Sequence, residues 1–166
     1  MKRILVIGCP DSGKSVFSRK LNQQTNIPLV HLDNLYWKAD RTTVPKEEFI
    51  ASLQKILDKN EWIIDGNYGS TMELRLGKCD TVFFFDLPTE VCLDGIRRRM
   101  GKARSDIPWV ETQTDDEFED FVRSFNTETR PRIIELLANF SHLDVIRFSS
   151  REEADEYIEI LKNEQI

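Results

Sequence analysis

The segment that most constrains the fold of this chain is GCPDSGKS, which runs from Gly8 to Ser15 and matches the pattern G-x-x-x-x-G-K-[ST]. The apolar run in residues 2–7 predicts a strand before it, and the spacing of apolar residues over 13–25 predicts a helix after it. Because the pattern lies between a strand and a helix, it predicts a phosphate-binding loop rather than an ordinary glycine turn.

Glycines in such a loop let several backbone N–H groups point into one concavity, and the start of the following helix adds positive partial charge. Lys14 can reach the β- and γ-phosphates of a nucleotide, and the hydroxyl of Ser15 can bind Mg²⁺. The sequence therefore predicts ATP and Mg²⁺ as cofactors. The predicted nucleotide-binding residues are Gly8, Asp11, Ser12, Gly13, Lys14, Ser15 and Val16.

Apolar runs alternate with amphipathic segments along the chain, which is typical of a βαβα fold. The predicted strands are residues 2–7, 27–33, 61–66, 80–88 and 142–150. The predicted helices are residues 13–25, 45–60, 89–100, a long helical region over 118–137 bent at Pro131, and a last helix capped by Ser150 and Glu153. The uninterrupted apolar run Val82–Phe85 predicts a strand buried on both faces.

We therefore predict one α/β domain over residues 1–166 with three layers. Its centre is a five-stranded parallel sheet, helices cover both faces, and the whole is a P-loop NTPase fold. Residues 101–117 break the periodicity and are expected to form a small lid inserted into this domain.

Composition narrows the classes of partner. The net charge of −6 argues against a duplex-DNA binder, which would normally show a basic face. No C-x-x-C pair occurs among the three cysteines, Cys9, Cys79 and Cys92, so we do not expect a zinc ribbon. We expect these residues to be reduced thiols in a cytoplasmic protein. No apolar stretch is long enough for a membrane span. We expect a monomer or a homodimer.

Three predicted strands end in an aspartate, and ligands of open parallel sheets bind at the carboxyl ends of strands. Asp65 is the best candidate to bind Mg²⁺ with Ser15, through a metal-bound water. Asp33 is the best candidate to meet the acceptor hydroxyl, as a general base or as a positioning group; a helix cap is equally compatible with its place in the sequence. For Asp86, before Leu87, a turn or capping role is favoured.

Basic residues cluster at the start of the predicted lid, where Arg99 and Arg104 could close over phosphates and offset the charge of the transferring group. Arg130 follows in the next helical region and is a third candidate for this role. A solvated helix end accounts for part of the Arg97–Arg99 run but not for Arg104. The predicted catalytic residues are Lys14, Asp33, Arg99, Arg104 and Arg130.

Aromatic residues and His31 lie near the ends of the second and third predicted strands. Tyr36, Trp37 and Tyr68 could line an acceptor pocket, but aromatic residues at such positions more often serve packing, which is the interpretation we favour.

Taken with their order, these motifs resemble the P-loop small-molecule kinases of the adenylate-kinase-like type. The segments GCPDSGKS, HLDNLYW, IIDGNYGSTMELRL, FFFDLP, RRRMGKARSDIP and TRPRIIELL resemble one subgroup, the DNA topology modulation or adenylate-kinase-related proteins, over nearly the whole chain.

The resemblance implies a five-stranded parallel sheet with a small lid, ATP phosphates held by the loop from Gly8 to Ser15, and Asp65 and Asp33 after the third and second strands. It makes Arg99 and Arg104 lid arginines, places Arg130 on the helix after the lid, and puts the adenine near residues 148–150. The chain departs from adenylate kinases in its DGNY segment and in Tyr36-Trp37, at the place expected for AMP.

Two functions follow. The first is an ATP-dependent phosphotransferase that acts on a small molecule or nucleotide, with ATP and an unidentified acceptor as its partners. The alternative is a regulatory ATP-binding protein that affects DNA topology without a small-molecule acceptor.

Overall fold

The sheet that organises the molecule has five parallel strands in the order β2-β3-β1-β4-β5. The computed structural model describes residues 1–164. The strands are β1 (Arg3–Gly8), β2 (Leu29–His31), β3 (Trp62–Asp65), β4 (Thr81–Phe85) and β5 (Asp144–Phe148). This is the five-stranded parallel sheet that the sequence predicts.

Eight α-helices connect or flank the strands within the described residues. They are α1 (Lys14–Thr25), α2 (Leu32–Tyr36), α3 (Lys46–Leu57), α4 (Gly69–Leu76), α5 (Thr89–Arg99), α6 (Asp116–Ser124), α7 (Arg130–Ala138) and α8 (Arg151–Glu164). A π-turn at Phe125–Thr129 joins α6 to α7. None of the helices within residues 1–164 combines the length and hydropathy that crossing a bilayer requires.

The central strands β1 and β4 form the core. Every residue of β4 is buried, as the apolar run predicts. Phe17 of α1 packs edge-on against Phe83 and Phe85 of β4, with ring centroids 4.8 and 5.4 Å apart, and against Phe148 of β5 at 5.3 Å. This aromatic contact fixes α1 on the sheet, and with it the loop between β1 and α1.

Three local differences from the sequence expectations bear on the site. The second strand ends at His31, so Asp33 lies in the short helix α2 and not at a strand end. Helix α4 is absent from the predicted elements. The long helical region is interrupted by the π-turn at Phe125–Thr129 and not by a bend at Pro131, because proline at the second position of α7 needs no hydrogen bond from its missing N–H.

The cap predicted for the last helix is present: the backbone N–H of Glu153 donates to the hydroxyl of Ser150 at 3.2 Å. Residues 101–115 contain neither helix nor strand, and α6 begins at Asp116, one residue before the end of the predicted lid. We call residues 100–115 the flap.

Candidate active site

The loop between β1 and α1 has the conformation that the glycine pattern predicts. Gly8 has a φ of 136°, and a Cβ built there would lie 2.2 Å from the carbonyl oxygen of Phe85, so only glycine fits. Gly13 has a φ of 110° and precedes the first turn of α1. The Nζ of Lys14 donates to the carbonyl of Cys9 at 2.6 Å, which folds this side chain over the loop.

Two further contacts hold this loop, and the sequence reasoning missed both. The guanidinium of Arg151, at the start of α8, donates to the carbonyls of Asp11 at 2.7 Å and of Ser12 at 3.2 Å. The side-chain amide of Asn67 pairs with Gly8 on both sides, accepting from its N–H at 3.0 Å and donating to its carbonyl at 2.7 Å. Both contacts join residues far apart in sequence, so no local pattern indicates them.

Asp65 ends β3 next to the phosphate loop, as predicted. The hydroxyl of Ser15 donates to Oδ2 of Asp65 at 2.6 Å, and Nδ1 of His31 lies 2.8 Å from the same oxygen. A second carboxylate approaches from the flap, with Oδ2 of Asp106 at 3.0 Å from the Ser15 hydroxyl oxygen. The sequence indicated His31 only as a pocket or packing residue and did not indicate Asp106 at all.

Hard oxygen donors converge on Ser15, and Mg²⁺ in proteins is commonly held by a hydroxyl, one or two carboxylates and substrate phosphates. Within residues 1–164 no group of three or more His, Cys, Asp and Glu side chains is placed to bind a metal by itself. The fit therefore depends on Ser15 and Asp65 acting together with oxygens of a bound nucleotide.

Arg99 and Arg104, the arginines predicted for the lid, are engaged in ion pairs. Arg99 donates to both carboxylate oxygens of Asp11, at 2.7 and 2.6 Å, and to Glu111 at 2.8 Å. Arg104 binds Asp106 and reaches Glu111 at 3.4 Å. Burial would raise the pKa of Asp106, but the guanidinium of Arg104 outweighs it and lowers this pKa to about 2.

Asp33 faces the same region from helix α2. The hydroxyl of Tyr68 donates to its Oδ1 at 2.5 Å. Burial raises the pKa of Asp33; the hydrogen bond from Tyr68 opposes this rise, and the charge of Asp65 adds to it. The helix-cap alternative for Asp33 does not apply to α2, which begins at Leu32 and has no side-chain cap.

One cavity of about 1080 Å³ connects these groups. Of the predicted site residues it is lined by Asp11, Gly13, Lys14, Ser15, Val16, Asp33, Asp65, Arg99 and Arg104. Gly8 and Ser12 do not line it. It is also lined by His31 and Tyr68, which the sequence indicated only as pocket or packing residues. Four further lining residues were not indicated by the sequence: Asn67, Asp106, Arg132 and Arg151.

Arg130 lies elsewhere. Its guanidinium binds the carboxylate of Asp86, with Nε 2.6 Å from Oδ1, and Arg147 contacts the same carboxylate. Arg130 is not among the residues that line the cavity, whereas Arg132, two positions along α7, is. Asp86 is thus an ion-pair partner rather than the turn or cap that its sequence context favours.

The aromatic residues near the ends of β2 and β3 pack against one another. The ring of Tyr36 lies 5.3 Å from Trp37, 5.4 Å from Phe49 and 5.1 Å from Tyr68, in edge-on contacts. Trp37 also meets Trp109 of the flap at 5.6 Å. Tyr36 and Trp37 therefore form a packed cluster beside the cavity, and only Tyr68 of the three predicted aromatic residues lines it.

Comparison with solved structures identifies the architecture. The fold is that of the shikimate kinases. The enzyme from Acinetobacter baumannii in complex with shikimate aligns with a TM-score of 0.62 and 15% identity over 100% of this chain and 96% of its own. The enzyme from Bacteroides thetaiotaomicron gives 0.60 and 16% over 98% and 96%, and that from Aquifex aeolicus 0.53 and 19% over 98% and 96%.

No family model matches the chain, and no curated protein matches its sequence. The predicted P-loop NTPase fold, with its five-stranded parallel sheet and surrounding helices, is confirmed by the solved structures. At identities of 15 to 19% the likeness concerns the fold. The narrower resemblance to the DNA topology modulation subgroup stays a prediction from the sequence.

Proposed function

We propose that the chain is an ATP-dependent phosphotransferase that transfers the γ-phosphoryl group of Mg-ATP to a hydroxyl group of a small molecule. One observation carries this proposal: the phosphate loop with Lys14 and Ser15 lines the same cavity as the half-buried carboxylate of Asp33. Donor-binding and acceptor-binding groups in one enclosure are what an in-line transfer between two bound molecules requires.

On the donor side, the N–H groups of the loop and the start of α1 would hold the phosphates. Lys14 would exchange the carbonyl of Cys9, 2.6 Å away, for phosphate oxygens. Ser15 and Asp65 would hold Mg²⁺, which when bound neutralises charge on the phosphate oxygens. His31, 2.8 Å from Asp65, would keep that carboxylate oriented.

On the acceptor side, Asp33 would accept a hydrogen bond from the acceptor hydroxyl and either orient it or take its proton. A carboxylate in this role needs to be ionised at neutral pH and close to the reacting oxygen. The hydrogen bond from Tyr68 and the positive charge of Lys14 both favour the ionised form, against the effect of burial.

Arg99 and Arg104 would move from carboxylate partners to phosphate oxygens when ATP binds. Both arginines line the cavity, and each already binds an acid of these segments: Arg99 binds Asp11 of the phosphate loop, and Arg104 binds Asp106 of the flap. Negative charge spread over the phosphoryl oxygens in the transition state would compete for the same guanidinium groups. The role predicted for Arg130 requires its release from Asp86.

The test is ADP formation from Mg-ATP in the presence of single candidate acceptors. The panel contains nucleoside monophosphates, sugars and hydroxy acids, and it includes shikimate because one structural neighbour is described in complex with that compound. We expect slow ADP release with water alone and at least a hundredfold acceleration by one chemical class of acceptor. ATP binding, measured by calorimetry at millimolar Mg²⁺, is the accompanying control.

ATP binding without acceleration by any compound would contradict the phosphotransferase proposal. The regulatory alternative predicts that result, together with affinity for DNA that falls steeply with salt. The absence of any heat with ATP would contradict both functions.

A further inference from the structure

Tyr68 holds the one carboxylate that we place at the acceptor. Its hydroxyl donates to Oδ1 of Asp33 at 2.5 Å, and among residues 1–164 no other hydrogen-bond donor reaches this carboxylate. Oδ2 of Asp33 is therefore left for a molecule in the cavity, which both residues line. A carboxylate that is held through one oxygen can present its other oxygen to a substrate hydroxyl in a fixed orientation.

The backbone of Tyr68 is itself held in an uncommon conformation. Its φ is 37°, in the left-handed region that residues other than glycine rarely adopt. The guanidinium of Arg75 donates to three successive carbonyls, those of Gly66 at 2.8 Å, Asn67, and Tyr68 at 3.1 Å. These three bonds fix the turn in which Tyr68 lies.

Arg75 is an unusual group to find in this place. Its exposed fraction is 0%, and within the described residues it has no carboxylate partner. Burial lowers the pKa of Arg75 to about 10, which leaves the side chain cationic at neutral pH. A buried cation without a carboxylate partner costs folding free energy unless its N–H groups find acceptors. Those of Arg75 bind the three carbonyls of the Gly66–Tyr68 turn and, through Nε at 3.2 Å, the hydroxyl of Thr71.

The ring of Tyr68 is fixed independently of its backbone. It packs against Tyr36 at 5.1 Å and Phe49 at 5.5 Å between centroids. In the same turn, Asn67 makes its paired hydrogen bonds with Gly8 of the phosphate loop, at 3.0 and 2.7 Å. One turn therefore fixes the hydroxyl that binds Asp33 and contacts the backbone that would hold the phosphates.

We propose that Tyr68 is the positioning residue of the acceptor site, orienting Asp33 through its hydroxyl, and that Arg75 positions Tyr68 through the Gly66–Tyr68 turn. This proposal rests on the proposed function for the role of Asp33. The charges that face Asp33 are Asp65 and Asp106, which disfavour its ionised form, and Lys14, which favours it. The hydrogen bond from Tyr68 acts in the same direction as the charge of Lys14 and favours the ionised form of Asp33.

The first test is Tyr68→Phe, which removes the hydroxyl and keeps the ring. The ¹³C resonance of the Asp33 carboxyl, assigned with Asp33→Asn, is followed as a function of pH without ligands. We expect its titration midpoint to rise by about one pH unit, a tenfold change in proton affinity. The matched control is Tyr36→Phe, because Tyr36 contacts the same ring but makes no hydrogen bond with Asp33; its midpoint should stay within 0.2 units of wild type, roughly the resolution of such a titration.

The second measurement separates positioning from a merely structural contact. Turnover of Mg-ATP is measured first with water alone and then with the acceptor that gives acceleration. Tyr68→Phe should lower kcat about fivefold to tenfold and leave the calorimetric Kd of ATP unchanged. The acid limb of its pH–rate profile should move up by the same amount as the Asp33 midpoint. Arg75→Lys, which keeps the charge but loses the planar fork, should reproduce part of both shifts.

An unchanged Asp33 midpoint in Tyr68→Phe would overturn the proposal, and so would a shifted midpoint with wild-type kcat. A failure of Arg75→Lys to fold leaves the Tyr68→Phe arm decisive. If wild-type protein binds no ATP, the proposed function fails and the role of Tyr68 in the acceptor site fails with it. If ATP binds and an acceptor is found, the Tyr68 result decides this proposal alone.

Discussion

At the phosphate end of the cavity the groups that would bind ATP belong to one continuous segment, whereas at the acceptor end they come from separate parts of the chain. The segment Gly8–Ser15 provides backbone N–H groups, an ammonium and a hydroxyl within eight residues. At the acceptor end, Asp33 lies in a short helix, and Tyr68, whose hydroxyl binds it, lies in the loop after β3. The phosphate end therefore follows from local chain geometry, and the acceptor end depends on contacts across the fold.

The two ends should also differ in how they respond to single substitutions. The phosphate-binding groups all belong to one segment between β1 and α1, and the long-range contacts of Arg151 and Asn67 are made to the backbone of that segment. On the acceptor side, Asp33 is fixed by a side-chain partner, Tyr68, at 2.5 Å, and the backbone of Tyr68 is in turn held by Arg75. Single substitutions at the acceptor end should therefore disturb several groups together, because residues that share partners do not behave independently.

The largest effect is expected at the phosphate end. Lys14→Ala removes the ammonium that would reach the β- and γ-phosphates, and we expect acceptor-dependent ADP formation to fall by about 10²- to 10³-fold. Lys55→Ala, at an exposed position of α3, is the matched control. Turnover in Lys14→Ala within a factor of about three of wild type would remove the phosphate end from the mechanism.

The next effect separates the two ends. Asp33→Asn keeps the shape of the side chain but removes its charge, so we expect kcat to fall by about 10²-fold while the Kd of ATP changes little. Asp120→Asn on the exposed part of α6 serves as control. Equal losses of ATP affinity and of kcat would contradict the assignment of ATP binding and acceptor activation to separate ends of the cavity.

A smaller effect is expected in the flap, which borders both ends. Arg104→Ala should lower kcat about tenfold and weaken ATP binding less, because its guanidinium would help most when charge develops on the transferring group. Arg97→Ala, an exposed neighbour that does not line the cavity, is the control. A wild-type rate in Arg104→Ala would make the flap a structural loop.

The smallest effect is a pH dependence of flap docking. The pKa of Asp106 is lowered from 3.8 to about 2. The stability that its charge gives to the docked flap is therefore fully present above pH 3.8, and it is lost as the pH falls from about 4 through 2. Trp109 of the flap lies 5.6 Å from Trp37, so its fluorescence should report this step before far-ultraviolet dichroism changes. The step should be absent from Asp106→Asn; its persistence there would assign it to another group.

The same division explains what the sequence could predict. The phosphate loop follows from its glycine pattern, and the five strands follow from apolar runs such as Val82–Phe85. Helix α4 was missed because its N-cap is Tyr68 in a left-handed conformation, without the Ser, Thr, Asp or Asn that marks a helix start. The extent of β2 was overestimated because the apolar alternation continues through Leu32 into the first turn of α2.

The side-chain partners could not be predicted for a different reason. His31 and Asp65 are 34 positions apart, Ser15 and Asp106 are 91 apart, and no local periodicity relates them. The buried Arg75 resembles an ordinary polar residue of a helix until its three carbonyl partners are known. For the arginine on α7, the sequence indicates only that Arg130 and Arg132 are two positions apart and so lie on different sides of the helix.

The π-turn at Phe125–Thr129 sets which side chains of α7 face the cavity. Loss of one residue there would rotate the rest of the helix by about 100° relative to α6, and Ile133 would take the place of Arg132. One cationic side chain of the cavity lining would be replaced by an aliphatic one, while Arg99 and Arg104 would keep their places in it. A change of length in this turn thus alters the lining at one position without any substitution within α7.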